Sequence, residues 1–229
     1  VVVPDAGVMQ QTLMAFGWGL ENRGNDPPVG PPPGGCVQGG DPVDCATGLF
    51  LHSSVDMFTN DTIPVALSRT YRQNDTVSRD FGVGSNHSYG MFLSNPTSDN
   101  SAPDVIDLIL PDGGRVRFNK IAGSGTSDVV FEHTATPTHF QYARLRIATS
   151  PSVWEMKLRD GTAFTFEPHA PNQLTSIRDR FGNSLSINRS GGLISQIVSP
   201  HGRTLAFSYD TAKRITRVTD SAGRSVRYE

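Results

Sequence analysis

The stretch that decides the fold is Ile194-Ser195-Gln196-Ile197-Val198-Ser199-Pro200-His201-Gly202-Arg203-Thr204-Leu205-Ala206-Phe207-Ser208-Tyr209-Asp210. Around its glycine stand large apolar residues at fixed offsets: eight and five before it, three and five after it. The same four offsets are filled around Gly113, Gly161, Gly182 and Gly223. Three after the glycines come Val116, Phe164, Leu185, Leu205 and Val226; five after, Phe118, Phe166, Ile187, Phe207 and Tyr228. Five before come Leu108, Met156, Ile177, Ile197 and Val218; eight before, Val105, Val153, Leu174, Ile194 and Ile215. The last four glycines are 21, 20 and 21 residues apart, whereas Gly113 and Gly161 are 48 apart, so one unit there is expanded. A fixed period of this size marks a repeat architecture.

The unit reads as a hairpin. Asp stands directly before Gly113 and Gly161 and three residues before Gly182 and Gly223, which is the chemistry of a tight turn needing a positive φ. After the glycine, apolar residues alternate with Ser, Thr, Ala or Arg, so this arm is a strand buried on one face. Before it, the apolar pair is three apart, which a straight strand places on opposite faces; a bulge or bend is expected there. Successive hairpins of about twenty residues form one antiparallel meander. A single hairpin is marginal in water, so such units draw stability from their neighbours. The unit ending at Glu229 is expected to continue into further copies, because a bare final strand is an open edge.

Composition agrees with an all-β chain. Of 229 residues, 23 are Gly and 16 Pro, and 36% are hydrophobic, which favours many short strands and turns over long helices. No apolar run is long enough to span a membrane as a helix. The formal net charge is −2 and the arginines are scattered, so a bulk electrostatic grip on nucleic acid is not expected. Residues 1–21 hold one helix, Val8 to about Leu20, read as a packing or docking segment. Residues 22–38, rich in Pro and Gly, form an extended strap. Residues 39–120 form an opening β domain, 121–173 an irregular, expanded stretch, and 174–229 the repeats.

Several of these segments resemble the Rhs, or YD-repeat, family. Phe207-Ser208-Tyr209-Asp210 and Arg214-Ile215 match its aromatic-x-Tyr-Asp step and following aliphatics, with Lys213 where the family usually has Gly. Gly40-Asp41-Pro42-Val43, Ile63–Tyr71, Phe81–Tyr89 and Leu110–Val116 are similar to the domain that opens many Rhs cores, with Ser85 replacing a common Trp. The resemblance covers roughly residues 39–229. It implies a YD-repeat shell, or β-cocoon, that encloses a C-terminal toxin or other cargo in a secreted or cell-surface bacterial protein. The implied partners are the rest of the shell, the cargo and a secretion-machine component. The N-terminal segment would be a plug. The alternative is an adhesion or carbohydrate-binding module on the same sheets, with Trp154, Tyr142 and Phe140 as its candidate exposed rings.

No cofactor is implied, and an enzyme is not expected: the nucleophile-elbow, P-loop, zinc-protease and dinucleotide-binding patterns are absent. Asn86-His87-Ser88-Tyr89 reads as a polar turn that hydrogen-bonds strand ends. His133 and His139, six apart with Pro137 between, lack further ligands for a metal. Asn60, Asn74, Asn86 and Asn188 begin short glycosylation patterns that arise often by chance. Cys36 and Cys45 close a ten-residue loop in an oxidising compartment, worth roughly 2–3 kcal/mol; in a reducing one they are two thiols. The residues expected to carry the structure are the turn glycines Gly113, Gly161, Gly182, Gly202 and Gly223. With them go the core residues Phe118, Phe166, Ile187, Phe207, Tyr209 and Tyr228.

Overall fold

A computed structural model describes residues 43–44, 49–94, 103–123, 129–135, 138–149, 152–169 and 171–229. The proposed helix Val8–Leu20, the strap and the Cys36–Cys45 pair lie outside the described residues. Every regular element described is a strand. An opening lobe holds β1 (Val43–Asp44), β2 (Leu49–Thr59), β3 (Val65–Arg72), β4 (Ser78–Arg79), β5 (Gly82–Val83) and β6 (Ser85–His87). Its main sheet has the order β1-β2-β3-β6, and β4 and β5 form a separate small ribbon.

The rest is one sheet of 13 strands in sequence order. It begins with β7 (Phe92–Ser94), β8 (Val105–Ile109), β9 (Arg115–Ala122) and β10 (Val130–Glu132). It continues through β11 (Arg144–Thr149), β12 (Ser152–Lys157), β13 (Ala163–Phe166) and β14 (Leu174–Arg178). The repeats proper add β15 (Ser184–Ser190), β16 (Leu193–Val198), β17 (Thr204–Tyr209), β18 (Ile215–Asp220) and β19 (Ser225–Arg227). Each strand pairs antiparallel with the next, the meander that the repeat period implies.

The hairpin turns share one geometry. In Asp179–Asn183 the N–H of Asp179 donates to the Asn183 carbonyl, and the Gly182 N–H donates to the Asp179 carbonyl. The same pair of bonds closes the turns at Gly113, Gly161, Gly202 and Gly223. This is a three-residue loop whose last residue is left-handed, and the five glycines have φ between 75° and 94°. Asp179, Asp210 and Asp220 each turn their own carboxylate onto the amides of the loop, as Ser199 does with its hydroxyl. Asp112 and Asp160, one residue before the glycine, cap the amide two residues on.

A sixth turn of this kind carries Lys213 at φ 64° in the glycine position. A side chain there costs about 1–2 kcal/mol of left-handed strain, partly offset by the entropy that glycine loses. Lys213→Gly should therefore raise stability by about 0.5–1 kcal/mol, read as a higher urea midpoint at unchanged slope. An unchanged or lower midpoint contradicts the turn as described.

The expected bulge is present in the last three units. Opposite β13, β15 and β17 the register skips Thr175, Ser195 and Thr216. Each skipped residue lies just after the first apolar position, so that Leu174 and Ile177, Ile194 and Ile197, and Ile215 and Val218 all reach the core. Each also carries a hydroxyl that donates to a carbonyl of the opposite strand, at Thr165, Asn188 and Ser208. In the first arms of the first two units the described pairings run without a register shift. There the core-facing residues are Ile106 and Trp154 rather than Val105 and Val153, because the regular alternation is unbroken.

The sheet also curls back on itself. The Leu93 N–H donates to the Asn172 carbonyl and the Leu174 N–H to the Met91 carbonyl, with a bridge between Phe92 and Gln173. β14 is thus a branch point. Its first residues meet β7, closing β7–β14 into a ring of eight strands, while its last residues pair with β15 and carry the sheet onward. The interior of the ring is filled by fully buried rings and aliphatics, among them Phe118, Phe131, Leu145, Phe164 and Phe166. One hydrophobic cluster runs from there through β15–β18 into Met57, Val65 and Leu67 of the lobe.

Candidate functional site

The most structured polar region is the junction where the opening lobe grips the final repeats. Three contacts span it, each between residues more than 130 positions apart. In the first, the loop between β2 and β3 places Asp61 against the turn at Gly202. Its almost fully buried carboxylate accepts from the Ser199 hydroxyl, from the His201 backbone N–H and from His201 Nδ1. Burial alone would raise the Asp61 pKa. The bonds from Ser199 and His201, with backbone N–H groups of Thr62 and His201, outweigh it and hold the group at about 2. Although Asp, Ser and His meet here, Ser199 gives its proton to the carboxylate and accepts the Arg203 N–H. It is a link rather than a nucleophile activated by imidazole.

In the second contact, Arg224 is held by Asp220 through Nε at 2.6 Å and reaches across to the Phe58 carbonyl at 3.0 Å and Thr59 Oγ1 at 3.2 Å. In the third, the Tyr228 hydroxyl donates to Asp56 at 2.9 Å. Its ring packs edge-on against Phe81, and the Arg69 guanidinium lies over the Tyr228 and Phe81 rings.

Behind these lies a buried charged group. His87 Nδ1 accepts the Tyr89 N–H, so its proton sits on Nε2 and is donated to Asp80 at 2.9 Å. The Asp80 main-chain carbonyl accepts the Ile215 N–H at 2.7 Å, tying the lobe to β18. Burial would raise the Asp80 carboxyl, but the His87 hydrogen bond and the neighbouring Arg189 and Arg79 hold it below its usual value. Arg189 is pushed down by burial, against the opposing pull of Glu167 and Asp80. Tyr209 is pushed up by burial and by Asp80, and its hydroxyl donates to the Ile194 carbonyl at 2.9 Å.

Acid should loosen this junction. A depressed carboxylate contributes stability that is complete above its unfolded pKa of about 4 and is lost as pH falls through its folded value. For Asp61 that window runs from about pH 4 down to about 2. Asp61→Asn should be less stable at neutral pH and lose less stability across that window, as read from urea unfolding at several pH values. Equal pH slopes for the two proteins would contradict the assignment.

The sequence-derived residues fall in several places. The five glycines form turns on one rim of the sheet. Phe118, Phe166 and Ile187 are buried, while Phe207, Tyr209 and Tyr228 are partly buried and pack against the core. Of the three candidate exposed rings, Phe140 is buried and Trp154 packs on Phe131, which leaves Tyr142. The polar side chains of Asn86, His87 and Ser88 serve as structural hydrogen-bond partners: Asn86 donates to Gly90 and Pro111 carbonyls, and Ser88 to the Ala66 carbonyl. His133 Nδ1 bonds the Arg117 carbonyl. Among the described residues there is no cluster of three metal-ligating side chains, and no helix long and apolar enough to cross a membrane. The junction acids Asp56, Asp61 and Asp80 carry no sequence signal of their role, because their partners are remote in the chain.

A lobe locked onto a hairpin meander defines a β-repeat protein with an opening domain. Comparison with protein families matches residues 40–118 to a domain of unknown function, DUF6531, and residues 188–228 to the RHS Repeat. The two matches together support an Rhs-repeat protein, at the N-terminal region of its repeat core. The two matched segments are the two sides of the junction. No curated protein matches the chain.

Proposed function

We propose that this chain is the closed end of an Rhs-type shell that encloses and delivers a C-terminal toxin or other cargo. The observation that carries this reading is the ring closure at β14, with its filled interior, beside a sheet that runs on through β15–β19. A filled ring is a wall with no passage, and a continuing meander adds strands at its far side. The role is one of containment rather than catalysis, in a protein that is secreted or displayed on a bacterial surface. Its partners are the remaining repeats, the cargo and a secretion-machine component.

The test uses the complete natural polypeptide. Its C-terminal segment should resist protease in the native particle and become cleavable when the junction is broken by Asp61→Ala with Arg224→Ala. A C-terminal segment cleaved equally in both, or a particle without an internal cavity by cryo-electron microscopy, would refute enclosure.

A further inference from the structure

We propose that the outer face and rim of β11–β14 bind an acidic polysaccharide, carrying carboxylate or sulfate groups along its chain. On this face Arg144 stands directly opposite Lys157, Lys157 opposite Ala163, and Ala163 opposite Arg178. Like charges set directly opposite destabilise a sheet, and this row places three cations across four strands, which span about 14 Å at the usual strand spacing. Arg144 and Arg178 are partly answered by Glu132 and Glu155. Among the described residues Lys157 has no ion pair, and it is exposed.

The adjoining rim adds two more cations and two rings. Arg159 lies over Tyr142 at 5.4 Å, and Arg180 over Phe181 at 4.6 Å. The two tips abut: a Cβ on Gly161 would come within 2.8 Å of Arg180 Cβ. Among the described residues neither arginine has an ion-pair partner, and nearby Asp160 and Asp179 spend their carboxylates on turn amides. A guanidinium resting on a ring keeps its N–H edge free for bidentate contact with a carboxylate or sulfate. Phe181 is 76% exposed and Tyr142 48%, so both rings present apolar surface that a ligand can cover.

Rings that stack on the C–H faces of sugars, interleaved with cations that meet their acidic groups, fit an acidic glycan. A single-stranded nucleic acid offers similar chemistry, and the thymidine strand below makes it the competing outcome of the test. The inference is independent of enclosure and gives the adhesion alternative a specific surface.

The test is fluorescence anisotropy of the chain with labelled probes: a heparin octasaccharide, a neutral dextran octamer and an eight-nucleotide thymidine strand. The heparin probe should bind and the dextran should not. K157Q/R159Q/R180Q breaks no ion pair among the described residues and should weaken heparin binding at least tenfold, with a shallower salt dependence. Tyr142→Ala with Phe181→Ala should weaken it at least fivefold, leaving the salt slope unchanged. Arg217 and Arg227, another like-charged pair set opposite on β18 and β19, are the control; R217Q/R227Q should change binding less than twofold. No binding, an equal loss in the control, or tighter binding of the thymidine strand would overturn the proposal. Far-UV circular dichroism of each variant verifies that it is folded.

Discussion

Phe164→Ala is expected to remove about 3–5 kcal/mol of stability, a large share of the 5–15 kcal/mol available to a typical domain. Phe164 is fully buried on β13, in register between Met156 of β12 and Ile177 of β14. These three strands are part of the closed ring, so their backbones are fixed on both sides by ladder hydrogen bonds. The ring cannot collapse into the space vacated by the phenyl group, and the cavity term adds to the lost transfer free energy. Phe207→Ala makes the comparison informative. Phe207 occupies the later offset in its own repeat, but it is only partly buried against the core. Its replacement should cost less, about 1–2 kcal/mol, in proportion to the smaller area withdrawn from water. Urea titrations of both variants measure the difference. If Phe207→Ala proves the more damaging, the ring interior is not packed as described.

That contrast also marks how far the sequence could be read. The repeat period placed the glycine turns and the two arms of each hairpin, because turn chemistry and side-chain alternation are local. It even located the bulge, since an apolar spacing of three inside a strand has few other solutions. It did not register that Val105 and Val153 belong to unbulged strands; the missing hydroxyl after them, Ile106 and Trp154 in place of Thr175, Ser195 and Thr216, was the available clue. Lys213 as a left-handed turn residue was visible only as a departure from a family pattern. Ring closure was not legible, because Leu93 and Asn172 are joined by backbone groups that every residue possesses. The junction was hidden for a different reason. Asp61 and Ser199 look like ordinary turn residues, and only the fold brings them 138 positions together. Asp220, read from the sequence as a turn residue alone, also holds the lobe through Arg224, and Ser199, to which the sequence assigned no role, binds Asp61.

Asp220→Ala should cost about 2–3 kcal/mol and should act on both sides of the junction at once. The Asp220 side chain is 1% exposed. Its carboxylate accepts the Ala222 and Arg224 N–H groups at 2.9 Å, which closes the turn, and Arg224 Nε, which aims the guanidinium at the lobe. Loss of the cap costs about 1 kcal/mol. Loss of the charged hydrogen bond adds about 1.5–3 kcal/mol, reduced here because Arg224 is 60% exposed and water can replace part of what it loses. Once released, Arg224 has no reason to hold the Phe58 carbonyl and Thr59 hydroxyl rather than solvent. The two sites must therefore be coupled: Asp220→Ala and Arg224→Ala together should cost less than the sum of the separate losses. Hydrogen exchange should locate the damage, with amides at the C-terminal end of β2 exchanging faster while those of β11–β13 keep their protection. Strict additivity, or a β2 that exchanges as in the unmodified protein, would mean that the arginine only decorates the turn and that the lobe is held by its apolar contacts alone.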